Sequence, residues 1–338
     1  MADAVTQEDS SGTADGVPAG SQGALAIEFR HVTKQYRGQD APAIDDLSLT
    51  VPAGETCCLV GPSGGGKTTA MKLVNRLIEP TSGDILIGGR SVLSYDVTTL
   101  RRDIGYVIQQ VGLFPHMTIG ANIGTIPRLL GWDRQRIAER TDRLLDLVRL
   151  DRSYAKRYPA QLSGGQQQRI GLARALAADP PVMLMDEPFG ALDPITRAEI
   201  QDEFLSLENE IRKTVIFVTH DIDEAIKMGD KIAVLRPGGK LAQYGSADEL
   251  LGDPVDDFVA DFVGADRGLK RLSLRSVGEL ADPGREAPPG APSVSAGTSL
   301  RVGLSVLLSA NADVLEVTKE GRPAGAVTLA EIREAAGS

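Results

Sequence analysis

The spacing of apolar positions changes along the chain, and each period predicts a different kind of element. Ile27, Phe29 and Val32, then Leu47, Leu49 and Val51, alternate with polar neighbours. That period of two predicts half-buried strands from about Ala24 onward, bounded by Gly38 and by Pro52-Ala53-Gly54. Three short runs, Thr56–Val60, Val182–Met185 and Thr214–Thr219, have no polar face of this kind. Such runs predict strands of a parallel sheet covered on both sides. Arg134–Leu150 and Ile195–Ile211 carry apolar residues at helical spacing, with charges on the rest. Ile232–Leu235 and Leu241–Tyr244 predict a closing hairpin. The expected class is α/β, with a mostly parallel core sheet, an antiparallel β subdomain and a helical subdomain. No run approaches the roughly 18 apolar residues needed to cross a bilayer.

The ends of the chain follow other rules. Residues 1–23 hold four acidic residues and no Lys or Arg, which predicts a disordered leader. They also lack the apolar core of a signal peptide. Residues 281–298 contain four prolines and three glycines, so 265–298 is expected to be a linker region. Residues 299–338 predict helix, strand, turn, strand and helix. Arg267, Lys270, Arg271 and Arg275 crowd the junction before that segment, with only Asp266 and Glu279 opposing them nearby. They predict either a solvated helix face or a basic surface for anionic lipid or an anionic ligand. The chain as a whole is acidic, at −10 over 338 residues, which argues against a protein that coats nucleic acid. Cys57 and Cys58 are adjacent and cannot staple distant segments, so a reducing compartment fits best.

The candidate chemistry begins where the first buried strand ends. Gly61-Pro62-Ser63-Gly64-Gly65-Gly66-Lys67-Thr68 fits G-x-x-x-x-G-K-[ST] without deviation. Glycines let backbone N–H groups wrap a phosphate at the mouth of a helix. Lys67 would reach the β and γ phosphates, and Thr68 would offer its hydroxyl to Mg²⁺. The second buried run ends in Asp186-Glu187, where a parallel sheet presents its ligand-binding residues. Phosphoryl transfer to water needs charge neutralisation and a group that orients the nucleophile. Asp186 is expected to handle Mg²⁺ and Glu187 to act as the base. His220 ends the third buried run. His31 and His116 have no metal-ligand partner at useful spacing.

Leu162-Ser163-Gly164-Gly165-Gln166, together with the phosphate loop and the acidic strand end in this order, resembles the ATP-binding cassette (ABC) family over about residues 24–264. The resemblance implies a P-loop ABC ATPase cassette using ATP and Mg²⁺. It gives Gln109 a place beside Mg²⁺ and the attacking water, His220 a hydrogen bond to the γ-phosphate, and Tyr36 a stack on adenine. Thr69 joins Thr68 at the nucleotide. Ser163, Gly165, Gln166 and Asp193 are implied to act on ATP held by a second copy of the chain, in a head-to-tail homodimer. With no membrane span predicted, the resemblance also implies a transmembrane permease as partner and, through it, an extracytoplasmic substrate-binding protein. The chain would then sit at the cytoplasmic face of the membrane.

Three longer segments narrow the resemblance: Asn75–Gly83, Ile104–Thr118 and Asp186–Arg197. With the tail, where Gly325–Ile332 is similar to part of a cystathionine-β-synthase-type (CBS) repeat, they resemble ATPase subunits of importers for glycine betaine, carnitine, choline or proline. Residues 299–338 would form a partial, single CBS-like α+β module. An import ATPase for an amino acid or polyamine stays open, as does a soluble ABC protein of DNA repair or translation. Those soluble proteins usually carry two cassettes or a long coiled coil, and this chain has one cassette and no long heptad run. A small-molecule P-loop kinase fails on the Leu162–Gln166 motif.

Overall fold

The computed structural model describes residues 23–108, 112–190, 192–211 and 213–337. Residues 1–22 of the expected leader (residues 1–23) and Gln109 therefore lie outside the described residues. The cassette strands are β1 (Ile27–Lys34), β2 (Ile44–Val51), β3 (Thr56–Val60), β4 (Ser82–Ile87), β5 (Arg90–Ser91), β6 (Ile104–Val107), β7 (Val182–Asp186), β8 (Thr214–Val218), β9 (Lys231–Leu235) and β10 (Leu241–Gly245). Those of the tail are β11 (Ser293–Ser295), β12 (Val314–Lys319) and β13 (Arg322–Thr328).

The central sheet runs β10-β9-β3-β8-β7-β6. Its strands from β9 to β6 are parallel, and β10 closes it as an antiparallel hairpin with β9. Every residue of β3, β7 and β8 is buried, because successive side chains feed two different cores. Cys57, Leu59, Val182, Leu184, Ile216 and Val218 face one of them, with β1, β2 and the helix after the phosphate loop. Cys58, Val60, Met183, Met185, Val215 and Phe217 face the other, with the helices of the insert. Two covered faces explain why these runs have no polar side. A separate antiparallel sheet, β2-β1-β4-β5, lies beside the phosphate loop.

Helices Ile119–Ile123, Thr125–Leu129 and Arg134–Leu147 form the insert between β6 and β7. The last of these stops three residues short of the helical pattern. Arg149 takes a left-handed backbone with φ 52°, and the Leu150 amide turns back to the Leu145 carbonyl at 2.9 Å, a helix-closing turn.

Residues 299–337 form helix Leu300–Ala310, β12, β13 and helix Leu329–Gly337, around a core that includes Leu300, Leu307, Leu315, Val317 and Ile332. The segment expected to be a linker is not one. It holds helices Arg267–Leu274 and Val277–Leu280 and strand β11, which runs parallel to β12. Leu272 and Val277 are fully buried in the tail core. Three of the four basic residues at the junction are likewise ion-paired rather than forming an open cationic surface. Arg271 pairs with Asp248 at 2.7 Å, and Lys270 with Asp223 at 3.5 Å and Asp266 at 3.1 Å. Arg275 pairs with Glu279 at 3.5 Å. The opposing charges missing from the local sequence come from Asp223 and Asp248, brought in by cassette helices Ile222–Met228 and Ala247–Gly252.

Candidate nucleotide site

The phosphate loop leaves β3 and runs straight into helix Lys67–Val74. Gly66 caps that helix with φ 78°, and a Cβ there would lie 2.4 Å from the Ala43 carbonyl oxygen. A Cβ on Gly61 would lie 2.2 Å from that of Leu235. Neighbouring backbone approaches so closely that a side chain has no room at either place. Gly65 donates its amide to the Pro62 carbonyl at 3.1 Å, leaving Ser63 and Gly64 at the exposed tip of the loop. The Lys67 ammonium donates to the carbonyls of Gly61 at 2.7 Å and Pro62 at 3.0 Å. Burial pushes its pKa down, while Glu187 and Asp186 pull it back up. Thr69 follows, half-buried in the first turn.

The Thr68 hydroxyl donates to Asp186 Oδ1 at 3.2 Å. A hydroxyl and a carboxylate at one point supply the hard oxygen donors that suit Mg²⁺ alongside phosphate oxygens and water. Burial raises the Asp186 pKa, the Thr68 hydrogen bond opposes this, and the Glu187 charge adds to the rise. One residue on, Glu187 has φ 46°, a left-handed conformation costing of order 1–3 kcal/mol outside glycine. Its amide donates to the Val218 carbonyl at 2.9 Å. Its Oε1 lies 3.2 Å from His220 Nδ1. The loop, Lys67, Thr68, Asp186, Glu187 and His220 thus converge at the carboxyl ends of β3, β7 and β8.

Other sequence candidates lie elsewhere in the chain. Ser163 and Gln166 form a capping box on helix Gly164–Leu176, a reciprocal pair that fixes its start. The Gln166 amide also donates to the Tyr154 hydroxyl at 3.2 Å. Ser163, Gly165, Gln166 and Asp193 line a cavity of about 630 Å³ with Arg149 and Arg169, and no phosphate-loop residue takes part in it. Asp193 accepts from the Thr196 amide at 3.0 Å, which holds its carboxyl below the usual range. Tyr36 sits half-buried in the turn after β1, with the Lys34 ammonium 5.2 Å from its ring centroid. The polar positions missed in the sequence are Gln168 and Arg169. Gln168 is 4% exposed and donates to the Glu187 carbonyl at 3.4 Å. The only hint was its place two residues after the motif.

Comparison with known proteins decides the family. Residues 44–190 match the family model described as ABC transporter. The osmoprotectant import ATP-binding protein OsmV of Salmonella typhimurium is 50% identical over 318 residues, covering 92% of this chain and 81% of that protein. This chain belongs to the ABC transporter ATP-binding proteins. It is an ABC ATPase, with the P-loop cassette fold. The glycine betaine uptake system ATP-binding protein YehX of Escherichia coli is 43% identical, covering 90% of this chain and 98% of that protein. A bacterial ABC transporter cassette solved as a dimer, MJ0796, superposes with a TM-score of 0.60 at 35% identity, covering 65% of this chain and 98% of that one. Among the described residues no helix of this ATPase is long and apolar enough to cross a membrane.

Proposed function

We propose that this ATPase drives import of a quaternary-amine osmoprotectant of the glycine betaine, carnitine, choline or proline class, through a separate permease. The observation that carries the solute class is the likeness to the osmoprotectant and glycine betaine import ATP-binding proteins OsmV and YehX, which cover 92% and 90% of the chain and so reach into the tail. The convergence at the carboxyl ends of β3, β7 and β8 supports the following chemistry. Lys67 and the loop amides neutralise the phosphates, Thr68 and Asp186 would hold Mg²⁺, which would offset phosphate charge, and Glu187 takes a proton from the attacking water. His220 lies within hydrogen-bond distance of Glu187 and bonds the γ-phosphate. By the family resemblance, Gln109 orients the water, and Tyr36 stacks on adenine. Ser163, Gly165, Gln166 and Asp193 complete the site of a second copy, which suits their separate cavity.

The permease would dock in a groove of about 300 Å³ beside β6, the edge strand of the central sheet. Arg101, Tyr106, Phe114, Ile126 and Arg174 line it. Phe114 is 42% exposed, and an apolar ring flanked by arginines suits a partner helix with apolar and acidic residues. The tail would serve as a CBS-like regulatory module. The test is proteoliposome uptake with a permease and a binding protein for such solutes. ATP-dependent uptake of labelled glycine betaine or choline supports the reading. Uptake of an amino acid or polyamine alone overturns the solute class.

A further inference from the structure

We propose that Glu224 is a positioning residue that ties the switch histidine to the loop carrying Asp193. The inference rests on the roles proposed above for His220 and Asp193.

Glu224 lies in the first turn of helix Ile222–Met228, four residues past His220. Its carboxylate accepts from the Gln201 amide at 2.9 Å, and the neighbouring Thr219 hydroxyl favours its charged form against the burial that raises its pKa. Gln201 is 6% exposed and Thr219 1%. The Thr219 hydroxyl accepts from the Asp221 amide at 3.1 Å, which fixes it immediately before His220.

On the other side, Gln201 stands two turns into helix Pro194–Ile211, which starts directly after Asp193. Arg197 in the same helix donates its guanidinium to the Leu192 carbonyl at 3.1 Å and its amide to the Asp193 carbonyl at 2.8 Å. Its charge also bears on Glu224. The Gln201–Glu224 bond therefore joins the helix that starts just past His220 to the helix that starts just past Asp193. If Asp193 shifts on meeting a second subunit, the helix moves with it, and Glu224 passes that shift to His220. Buried polar groups linked in this way have few alternative partners, so the connection is stiff.

The test uses the full-length chain with Glu224→Ala, Gln201→Leu and their combination, measuring kcat and KM for ATP. The expected result is a roughly 10- to 100-fold fall in kcat, the scale of a misplaced catalytic group, with KM within about twofold. The double variant should be no worse than the poorer single one. The exchange Glu224→Gln with Gln201→Glu keeps a hydrogen bond of reversed direction and should recover part of kcat, and it serves as the second probe if Glu224→Ala does not fold. Additive losses, or unchanged kcat with raised KM, would overturn the positioning role. His220→Ala separates the two ideas: normal turnover there defeats the histidine's assignment, whereas a dead His220→Ala beside a normal Glu224→Ala defeats the coupling.

Discussion

Thr68 and Asp186, 118 residues apart in sequence, meet at 3.2 Å through a hydroxyl and a carboxylate oxygen. The contact joins the first turn after the phosphate loop to the end of β7. Thr68→Ala removes one oxygen donor while leaving the loop glycines and Lys67 in place. ATPase activity of the variant is expected to need a higher Mg²⁺ concentration for half-maximal rate, and a Mg²⁺ titration of phosphate release measures it. An unchanged midpoint would remove Thr68 from the metal site.

Glu187→Gln is expected to bind ATP normally and to lose about 10²-fold or more in turnover, the range for removal of a general base. Gel filtration with ATP should reveal an accumulated dimer. Near-normal hydrolysis would end the assignment of Glu187 as the base.

Lys67→Ala should lose nucleotide binding, since the charge over the phosphates is gone, whereas Ser163→Arg should bind ATP and not hydrolyse it. Mixing the two variants places an intact phosphate loop opposite an intact signature in one of two sites. Partial recovery of hydrolysis is expected in the mixture. If both variants fold and dimerise yet the mixture stays inactive, the head-to-tail arrangement fails.

Glu331 in the tail is held down to about 2, first by the Arg285 guanidinium and then by the Thr328 amide. Arg285 reaches its two carboxylate oxygens at 2.9 and 2.7 Å. A carboxyl depressed in the folded state adds stability above its unfolded pKa, about 4.3, and loses it as pH falls toward 2. The stability gap between the native chain and Glu331→Gln should therefore close over that window. Thermal unfolding at stepped pH checks this, and a gap that persists at pH 2 would rule the pair out.

Lys270 has a side chain only 10% exposed, and its ammonium donates to the Val263 carbonyl at 2.9 Å besides its two carboxylates. Lys270→Met should cost about 1.5–3 kcal/mol, the range for hydrogen bonds to a charged group. It should also loosen the tail, exposing residues 264–267 to limited proteolysis. Equal cleavage rates in the two proteins would show that the tail is held by its apolar contacts alone.

What could be read from the sequence was what is contiguous. The phosphate loop, the Leu162–Gln166 motif and the Asp186-Glu187 strand end each compress their chemistry into a few adjacent residues. The buried strands were equally plain, because a strand covered on both faces has no polar side to display. What stayed hidden depends on partners far along the chain. Lys270 looked like one of a basic cluster because Asp223 lies 47 residues before it, and Gln201 meets Glu224 only once two helices pack. The prolines of 283–292 coloured the whole stretch as a linker, although Leu272 and Val277 are core residues. Gln168 gave no sign of its burial, because a glutamine beside other glutamines carries none.

The left-handed backbone at Glu187 also means that variants lacking its carboxylate are not interchangeable. Glycine would remove the carboxylate and relieve the backbone together, so the folded chain could gain where the chemistry loses. Glutamine keeps the same φ and its cost. A β-branched residue would meet the steric penalty in full. Selection at this position thus acts on two properties at once, and a residue chosen for stability alone would not be a glutamate.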